Sequence, residues 1–527
     1  MTTLSRPSLN RSQLLNGALL LTAATAYVIL LYRTAWLGDD AFITLRTIDN
    51  AVHGYGLRWN VLERVQTYTH PLWMLLLLGI YAFTREAFYT TLAVSAALSI
   101  ATFLWVGIIA RRSHGSGTVL VLGLALSRCF VDYSTSGLEN PLSHLLTVAF
   151  YALLLSSKAS KSATTRLAWG AFLAGLSVVN REDTILIFAP ILAWDAMREG
   201  VPKRAVLRTF CGGAIAPLLW TLFSIVYYGF PFPNTAYAKL NVHIPRSALA
   251  LRGLEYVFDF VTYDPLSAAF VLTMLVLVFR SESARERAWG FGILLYLAYV
   301  VVIGGDFMSG RFFSVPFLMS ALWLVEHLPA WKPLPTIGTA FAMVGLMLCP
   351  RHPLWSAPDT EPEAINVWQG SGIVDERLYY FATASLAHDG PTHTIRPWHE
   401  RAIEGLELRL AGYRVVERAA VGYVGYFAGP EVHIIDTWAL CDPLLSRIPY
   451  RAPKGKFRMG HFPRKRPTGY DRAVLGDARA IEPPQLARIY EDVQLATRGR
   501  LFTRERFAAI LRLNLGAYTK ELKQIRY

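Results

Sequence analysis

Long apolar runs separated by short polar loops dominate the first 350 residues of the chain. The first run extends from about residue 14 to residue 32, close to the roughly 20 residues that a helix needs to cross the hydrocarbon core of a bilayer. Several others are shorter, so flanking residues would have to complete each crossing. They lie at 71–83, 88–110, 118–130, 141–155, 167–179, 184–196, 207–228, 266–280, 288–304, 313–325 and 335–349. This pattern predicts a polytopic α-helical membrane protein.

The run at 71–83, PLWMLLLLGIYAF, differs from the rest because it begins with proline and has a polar loop on each side. We interpret it as a juxtamembrane helix, on the surface or re-entrant, which leaves about eleven crossing helices. The basic loops then share the side of the N-terminus, which the positive-inside rule assigns to the cytoplasm. If 71–83 crosses instead, the basic RRSHG falls outside and the acidic VDYSTSGLEN inside. The loop residues are Arg111, Arg112, Lys158, Lys161, Arg166, Arg198, Lys203, Arg204, Arg208, Arg280, Arg285, Arg287 and Lys332.

We call residues 1–350, which contain the apolar runs, the membrane half. Its loops on the outer side hold nearly every unusual polar cluster of this part of the chain. Ionisable groups at membrane depth are costly and generally face a protein interior or a water-filled cavity. The clusters are GDDAFITLR, YTHPLW, STSGLENP, NRED, YYGFPFPNTAYAK and GGDFMSGR. Their position on one face predicts a polar cavity there.

After Pro350 the chain becomes a long polar region without a run that could cross a membrane. An odd number of crossings from a cytoplasmic N-terminus places it outside, beside the cavity. Within it, GYVGYFAGPEVHIIDTWAL at 422–440 predicts two short strands with a Gly-Pro turn, and 478–498 predicts a helix preceded by prolines. We therefore expect a transmembrane domain at 1–350 and an extracytoplasmic α/β domain at 351–527.

Composition agrees with a membrane protein, since 53% of the residues are apolar and 17% are charged, below the usual quarter. The net charge of +14 does not indicate nucleic acid, because Lys and Arg lie mainly in short loops and in the last third, where a bilayer surface explains them. The cysteines form neither a CxxC pair nor an obvious disulfide framework. No A-x-A-like site follows the first run, which predicts an uncleaved helix. Walker, GxSxG and strand-to-helix GxGxxG patterns are absent, so nothing supports the use of a soluble nucleotide.

Two adjacent aspartates, Asp39 and Asp40, lie where the first apolar run has ended and an amphipathic helical pattern begins. Adjacent like charges disfavour joint ionisation, so a cation, a positive side chain or a proton is expected nearby. A carboxylate in this place could deprotonate an acceptor hydroxyl, attack a sugar carbon or hold a metal. The alternative interpretation is that the two aspartates are acidic surface residues at the end of the first helix.

Two side chains of the outer loops are candidates for anion binding. His70 begins a predicted helix, where the helix dipole favours an anion, and Arg181 suits bidentate binding of a phosphate. Arg181 could equally pair with Glu182 or Asp183 within the NREDT turn.

In the polar region, the basic loop GHFPRKRPTGY is either a solvated face or a contact for anionic lipid or glycan phosphate. Its His461 lacks metal-ligand spacing with any other His or Cys.

Other polar residues of the outer loops also have two interpretations. Lys239 and Arg311 follow Gly or Pro turns and either face the cavity or anchor at the lipid headgroups. Asp306 follows two glycines, where a backbone can approach a ligand closely. Glu139 and Asn140 lie beside a helix start, so capping of that helix is the alternative to a binding role.

With these segments, the chain resembles the GT-C superfamily of membrane glycosyltransferases. Within that superfamily it resembles the mycobacterial terminal β-1,2-arabinofuranosyltransferase family and its relatives in other bacteria. In the membrane half the resemblance is carried by GDDAFITLRTIDNAVHGYGLRWNVLERVQTYTHPLW, STSGLENP, NRED, FPNTAYAK and GGDFMSGRFF. In the polar region it is carried by GYVGYFAGPEVHIIDTWALCDPLLSRIP and GHFPRKRP. It covers most of the chain and implies a GT-C-like fold with an outward acidic motif, a juxtamembrane helix and a C-terminal extracytoplasmic domain.

The resemblance further implies that arabinofuranose moves from a polyprenyl-phosphate donor to a cell-envelope glycan, glycolipid or glycoprotein on the outer face of the inner (plasma) membrane. Asp40, paired with Asp39, is then the expected catalytic carboxylate. The expected binders of the donor phosphate are His70, Arg181, Lys239 and Arg311. The expected substrate-binding residues are Glu139, Asn140, Asp306, Asn234 and His461. Membrane lipids are expected partners, nucleic acid is not, and a divalent cation is left open as a cofactor.

Two alternatives remain open. A related enzyme would transfer mannose or 4-amino-arabinose from the same kind of lipid. A glycolipid transporter or flippase would also gather polar groups in a membrane cavity, but transporters often show two halves with corresponding interrupted helices. No such repeat is found in the sequence, and the one-sided polar region favours the enzyme.

Overall fold

The computed structural model describes residues 11–110, 116–154, 163–198, 201–327, 371–387, 395–452 and 457–525. The predicted apolar run at 335–349 and the predicted domain boundary at 350 lie outside the described residues. The same holds for part of the basic loops on which the topology rests, namely Arg111, Arg112, Lys158, Lys161 and Lys332.

Helices form the described part of the membrane half, as its continuous apolar runs predict. In chain order they are α1 (Arg11–Thr34), α2 (Asp39–Val52), α3 (Pro71–Thr84), α4 (Phe88–Ala110), α5 (Ser116–Leu126), α6 (Arg128–Asp132), α7 (Asn140–Leu154), α8 (Ala163–Asn180), α9 (Ile185–Met197), α10 (Lys203–Tyr227), α11 (Asn234–Leu240), α12 (Arg246–Tyr263), α13 (Pro265–Arg280), α14 (Ala284–Val302) and α15 (Ser314–His327). Short 3-10 turns at Glu182–Thr184 and Arg311–Phe313 precede α9 and α15.

By length and composition, two of the described helices, α4 and α10, could each cross a membrane. The pair α12 and α13 would add a third span, bent by 111° at its break. Only 11% of the apolar stretch of α10 is buried inside the protein, and an apolar surface of that extent requires a lipid or protein cover. The mostly helical architecture with apolar helices agrees with a membrane protein, while the count of about eleven crossings stays a prediction.

The run at 71–83 forms the helix α3, which begins at Pro71, and its juxtamembrane position stays a prediction. Its 14 residues extend about 21 Å at 1.5 Å per residue, short of the roughly 30 Å hydrocarbon core. One face is buried through Trp73, Leu77 and Tyr81, whereas Phe83 is exposed. A short helix with one buried face agrees with a position along the protein surface.

The polar region folds into short helices around small parallel sheets. Its helices are α16 (Glu376–Ala384), α17 (Glu400–Leu410), α18 (Val421–Ala428), α19 (Tyr470–Val474), α20 (Pro484–Arg498), α21 (Arg504–Asn514) and α22 (Thr519–Gln524). Strand β2 (Val415–Arg418) pairs with β3 (His433–Asp436). Strand β4 (Tyr450–Arg451) pairs with β1 (Val242–His243) of the membrane half. The predicted helix at 478–498 is confirmed as α20, which begins directly after Pro483.

The prediction of two strands at 422–440 is wrong for the first of them, because Val421–Ala428 forms α18. The second is confirmed as β3, after the Gly-Pro turn. The cause is tertiary packing against α2. A Cβ on Gly422 would lie 1.8 Å from the backbone oxygen of Asp39, so only glycine permits this approach. Contact with α2 thus outweighs the strand propensity of the segment.

A buried arginine joins the polar region to α2. The Arg46 guanidinium donates hydrogen bonds to the backbone oxygens of Trp59 at 2.7 Å, Gly425 at 2.6 Å and Val432 at 2.8 Å. Each bond satisfies a donor that burial would otherwise leave unpaired. Arg46 therefore ties the middle of α2 to α18 and to the residue that precedes β3.

Candidate functional site

An open cleft of about 400 Å³, solvent included, lies where the N-terminus of α2 meets the polar region. Its walls combine acidic, basic and aromatic side chains from both halves of the chain. They are Asp39, Asp40, Phe307, Glu376, Tyr379, Tyr380, Arg401, Ala420, Trp438, Arg458 and His461. Aromatic walls with a few convergent polar groups are the usual form of a small-ligand site.

Asp39 lines the cleft but also holds the N-terminus of α18. Its carboxylate oxygens accept hydrogen bonds from the backbone amides of Tyr423 at 2.9 Å and Gly422 at 3.1 Å. The local cap position, Ala420, has no side chain that could do this. Burial raises the pKa of Asp39 to about 6, although Arg401 and the two amides favour its charged form. Both oxygens of Asp39 are therefore engaged in structure.

Asp40 is the available carboxylate of the pair. It is partly exposed in the cleft, and within the described part of the chain its side chain has no hydrogen bond and no ion pair. Burial raises the pKa of Asp40, and the positive charges of Arg311 and Lys239 oppose that rise. An unpaired carboxylate beside positive charge can accept a proton from a substrate hydroxyl.

The carboxylate of Glu139 contacts three of the predicted phosphate binders. Its oxygens lie 2.6 Å from Nη1 of Arg181 and 3.1 Å from Nη2 of Arg311. Nδ1 of His70 lies 3.3 Å from Oε2 of Glu139. Burial alone would raise the pKa of Glu139, but these neighbours together hold it well below its usual range. Glu139 is thus the buried negative centre of a basic cluster.

The other hydrogen-bond donors of Arg181 contact Asp183 in the same turn. Nε and Nη2 each lie 2.9 Å from an oxygen of Asp183, and the guanidinium lies over the ring of Phe312, 4.3 Å from its centroid. The alternative of pairing within the NREDT turn is therefore present for Asp183. The phosphate-binding role of Arg181 stays a prediction, and it would require the guanidinium to exchange carboxylates for phosphate.

Arg311 and Lys239 differ in how accessible they are to a ligand, because Arg311 is paired with carboxylates whereas Lys239 is exposed. Nη1 of Arg311 lies 3.5 Å from Oδ2 of Asp306, and its charge acts on Asp40. Lys239 is exposed at the end of α11, and no ion pair holds it within the described residues. Its charge also acts on Asp40, which makes it the freest of the predicted phosphate binders.

The remaining predicted substrate-binding residues divide between the cleft and the interior. His461 lines the cleft between Phe307 and Trp438, with ring centroids 4.4 and 4.1 Å away, and burial holds its pKa well below the usual range. Oδ1 of Asp306 accepts a hydrogen bond from the amide of Phe307 at 2.9 Å. Asn140 donates to Ser314 Oγ at 3.1 Å and is buried. His461 therefore faces the cleft, whereas Asn140 ties loops together.

Asn234 lies apart from the cleft, at the start of α11. Its amide nitrogen donates to the backbone oxygens of Ala439, Leu440 and Asp442 at 3.0 to 3.1 Å. Its amide oxygen accepts from Ser446 Oγ at 2.9 Å. The side chain joins the two halves of the chain, and its substrate-binding role stays a prediction.

Three charged residues of the cleft were not predicted from the sequence: Glu376, Arg401 and Arg458. Burial raises the pKa of Glu376 to about 8, and Asp40 adds to that rise. Arg458 donates from Nε to the backbone oxygen of Gly372 at 3.0 Å and lies over Phe307. No local motif marks these residues, because contacts between distant segments bring them to the cleft.

Among the residues that the structure describes, no three His, Cys, Asp or Glu side chains form a group that could hold a metal ion. Both oxygens of Asp39 already accept hydrogen bonds from backbone amides. Magnesium commonly uses one or two carboxylates together with phosphate and water, and Asp40 is the one member of the pair free to serve that way.

No protein-family model matches the chain. It is 28% identical over 412 residues to the terminal β-(1→2)-arabinofuranosyltransferase of Mycobacterium tuberculosis, which covers 68% of this chain and 64% of that protein. It is 25% identical over 410 residues to the protein of the same name from Corynebacterium glutamicum, covering 68% of this chain and 57% of that one. The chain thus spans less than two thirds of either relative. These comparisons confirm that it resembles the terminal β-(1→2)-arabinofuranosyltransferases.

Proposed function

We propose that this protein is a membrane glycosyltransferase that moves arabinofuranose from a polyprenyl-phosphate donor to a cell-envelope glycan, glycolipid or glycoprotein. The observation that carries the proposal is Asp40, a carboxylate without a hydrogen-bond partner in the described residues, at the mouth of an aromatic-walled cleft directly after α1. The resemblance to two proteins named arabinofuranosyltransferases supports the reaction class.

In this reaction Asp40 accepts the proton of an acceptor hydroxyl. The hydroxyl oxygen forms a bond to the anomeric carbon of the donor sugar, while the bond from that carbon to the phosphate oxygen breaks and the phosphate takes the electron pair. The developing charge on the phosphate needs positive groups close by. Lys239 and Arg311, whose charges act on Asp40, are proposed to supply them.

A lipid donor explains why such a site follows a membrane helix. The prenyl chain stays in the bilayer, as its hydrophobicity requires, and only the sugar phosphate enters the cleft. We place the cleft and the polar region on the outer, extracytoplasmic face of the inner (plasma) membrane, because the basic loops then lie in the cytoplasm. Labelling of single cysteines introduced at exposed positions such as Arg85 and Glu407 should be complete from the outside of intact cells or spheroplasts. Labelling only after lysis would reverse this topology.

A divalent cation belongs to the proposal as an open cofactor. Asp40 could share one with a donor phosphate, but no group of three ligands stands ready among the described residues. The proton transfer to Asp40 therefore includes no step through a metal. Chelation with EDTA followed by addition of Mg²⁺ or Mn²⁺ measures the dependence directly.

Purified full-length protein offered prenyl-phosphoryl sugars and arabinan oligosaccharides tests the proposal. Arabinofuranose, mannose and 4-amino-arabinose on the same prenyl phosphate form the donor panel, and mass spectrometry of the acceptor reads the product. Addition of one pentose from the arabinofuranosyl donor is the expected result. Transfer from another donor alone would refute arabinofuranose and keep the mechanism, and absence of transfer from every donor would refute the enzyme.

A further inference from the structure

Glu376 is a buried acid that faces the cleft without a structural partner. It is the first residue of α16, its side chain lines the cleft with Asp40, and only 7% of the residue is exposed. Within the described residues, its carboxyl makes no hydrogen bond and no ion pair. Burial of an acid without a partner is costly, so a structural role does not explain its presence.

The residues on either side of Glu376 hold it in place. Asp375 forms an ion pair with Arg128, and Nε of Arg377 lies 2.7 Å from Oδ1 of Asp132. Both partners belong to α6 in the membrane half. Glu376 therefore has anchored neighbours on both sides along the chain, which hold its backbone at the cleft.

The charges around Glu376 favour its neutral form. Asp40, Asp39 and Asp306 are acidic neighbours that raise its pKa, and the charge of Arg458 opposes them. The cleft also presents Arg401, His461, Tyr379 and Tyr380. Burial, reinforced by Asp40, raises the pKa of Glu376 to about 8. At neutral pH the carboxyl thus holds its proton in most molecules.

We propose that Glu376 donates a hydrogen bond to a hydroxyl group of an uncharged acceptor sugar, and so forms an acceptor subsite beside Asp40. A carboxylic acid both donates and accepts hydrogen bonds, which matches a sugar hydroxyl, and the rings of Tyr379 and Tyr380 supply an apolar wall. The proton stays on Glu376 during the reaction. This inference rests on the proposed function, since it assigns a role within the same cleft.

Glu376→Gln and Glu376→Ala test the role, because glutamine keeps a donor at every pH and alanine removes it. The wild type should lose acceptor binding above about pH 8, as Glu376 ionises beside Asp40, with the KM for an arabinan oligosaccharide rising more than kcat falls. Glu376→Gln should keep its acceptor KM on the alkaline side, and Glu376→Ala should raise that KM at least tenfold at pH 7. Glu407→Gln, an exposed glutamate on α17, is the control and should follow the wild type. An alkaline loss in Glu376→Gln equal to that of the wild type, or an unchanged KM in Glu376→Ala, would overturn the inference.

Thermal unfolding separates this inference from the proposed function. A raised folded pKa means that the stabilising contribution is complete below the unfolded value of 4.5 and is lost as pH rises through about 8. The Tm of the wild type should therefore fall relative to that of Glu376→Gln between pH 5 and pH 9. Absence of any transfer together with this Tm difference would refute the function alone. Active transfer without the Tm difference and without the change in pH profile would refute the role of Glu376 alone.

Discussion

The carboxylate of Asp39 accepts a hydrogen bond from the amide of Tyr423 at 2.9 Å, across 384 residues of sequence. The bond gives Asp39 a structural task that its neighbour Asp40 does not share. Asp39→Ala should destabilise the protein by about 1–2 kcal/mol, as loss of a helix cap does. Chemical or thermal unfolding measures this change. A stability equal to that of the wild type would show that α18 does not depend on the contact.

The close packing of Gly422 leads to a second prediction, which does not depend on charge. Gly422→Ala should force α18 away from α2, because its Cβ would overlap the backbone oxygen of Asp39, and overpacking typically costs about 1–3 kcal/mol. Gly79→Ala in α3 is the matched control, since nothing lies within 4 Å of its added Cβ. Equal effects of the two substitutions on the unfolding midpoint would contradict the packing described for α18.

Substitution of Glu139 should reduce the stability of the fold, whatever its effect on catalysis. Glu139→Gln leaves Arg181 and Arg311 without their shared buried carboxylate, and removal of one partner from such a cluster costs about 3–5 kcal/mol. Glu417→Gln, which breaks a partly exposed pair with Arg466, should change stability by less than about 1 kcal/mol. Unfolding curves in detergent compare the two. A Glu139→Gln protein as stable as Glu417→Gln would favour a substrate-binding role for the cluster.

Lys239 should influence the pH dependence of the reaction without affecting the fold. Burial raises the pKa of Asp40 and the Lys239 charge opposes that rise, so Lys239→Met should raise this pKa further. Since Asp40 must be ionised to accept a proton, the acidic limb of kcat/KM should move to higher pH. Lys523→Met, on α22 at the end of the described chain, should leave the profile unchanged. An acidic limb that does not move in Lys239→Met would separate Lys239 from Asp40.

Local features of the sequence predicted the helical membrane half, α3 and the acidic pair. Apolar runs and an Asp-Asp pair are contiguous in the chain, so one sequence is enough to find them. The helix at 421–428 could not be predicted in this way, because its first amides donate hydrogen bonds to the carboxylate of Asp39, which is far away in the chain. Strand propensity alone therefore predicted the wrong element.

The same limit applies to the cleft. Glu376 reaches it through the ion pair between Asp375 and Arg128, which are 247 residues apart. No spacing rule marks such a residue in advance. The sequence predicts Arg181 and Arg311 as phosphate binders, which stays a prediction, and it gives no indication that both contact Glu139.

The most direct test of the account is the transfer rate of Asp40→Asn with prenyl-phosphoryl arabinofuranose and an arabinan acceptor. Loss of the base should lower kcat by about 10²–10⁴-fold, while stability stays close to that of the wild type, because the partly exposed Asp40 side chain makes no hydrogen bond or ion pair within the described residues. Asp471→Asn, on an exposed part of α19, should retain the wild-type rate. An Asp40→Asn protein that transfers sugar as fast as the wild type would contradict the central claim.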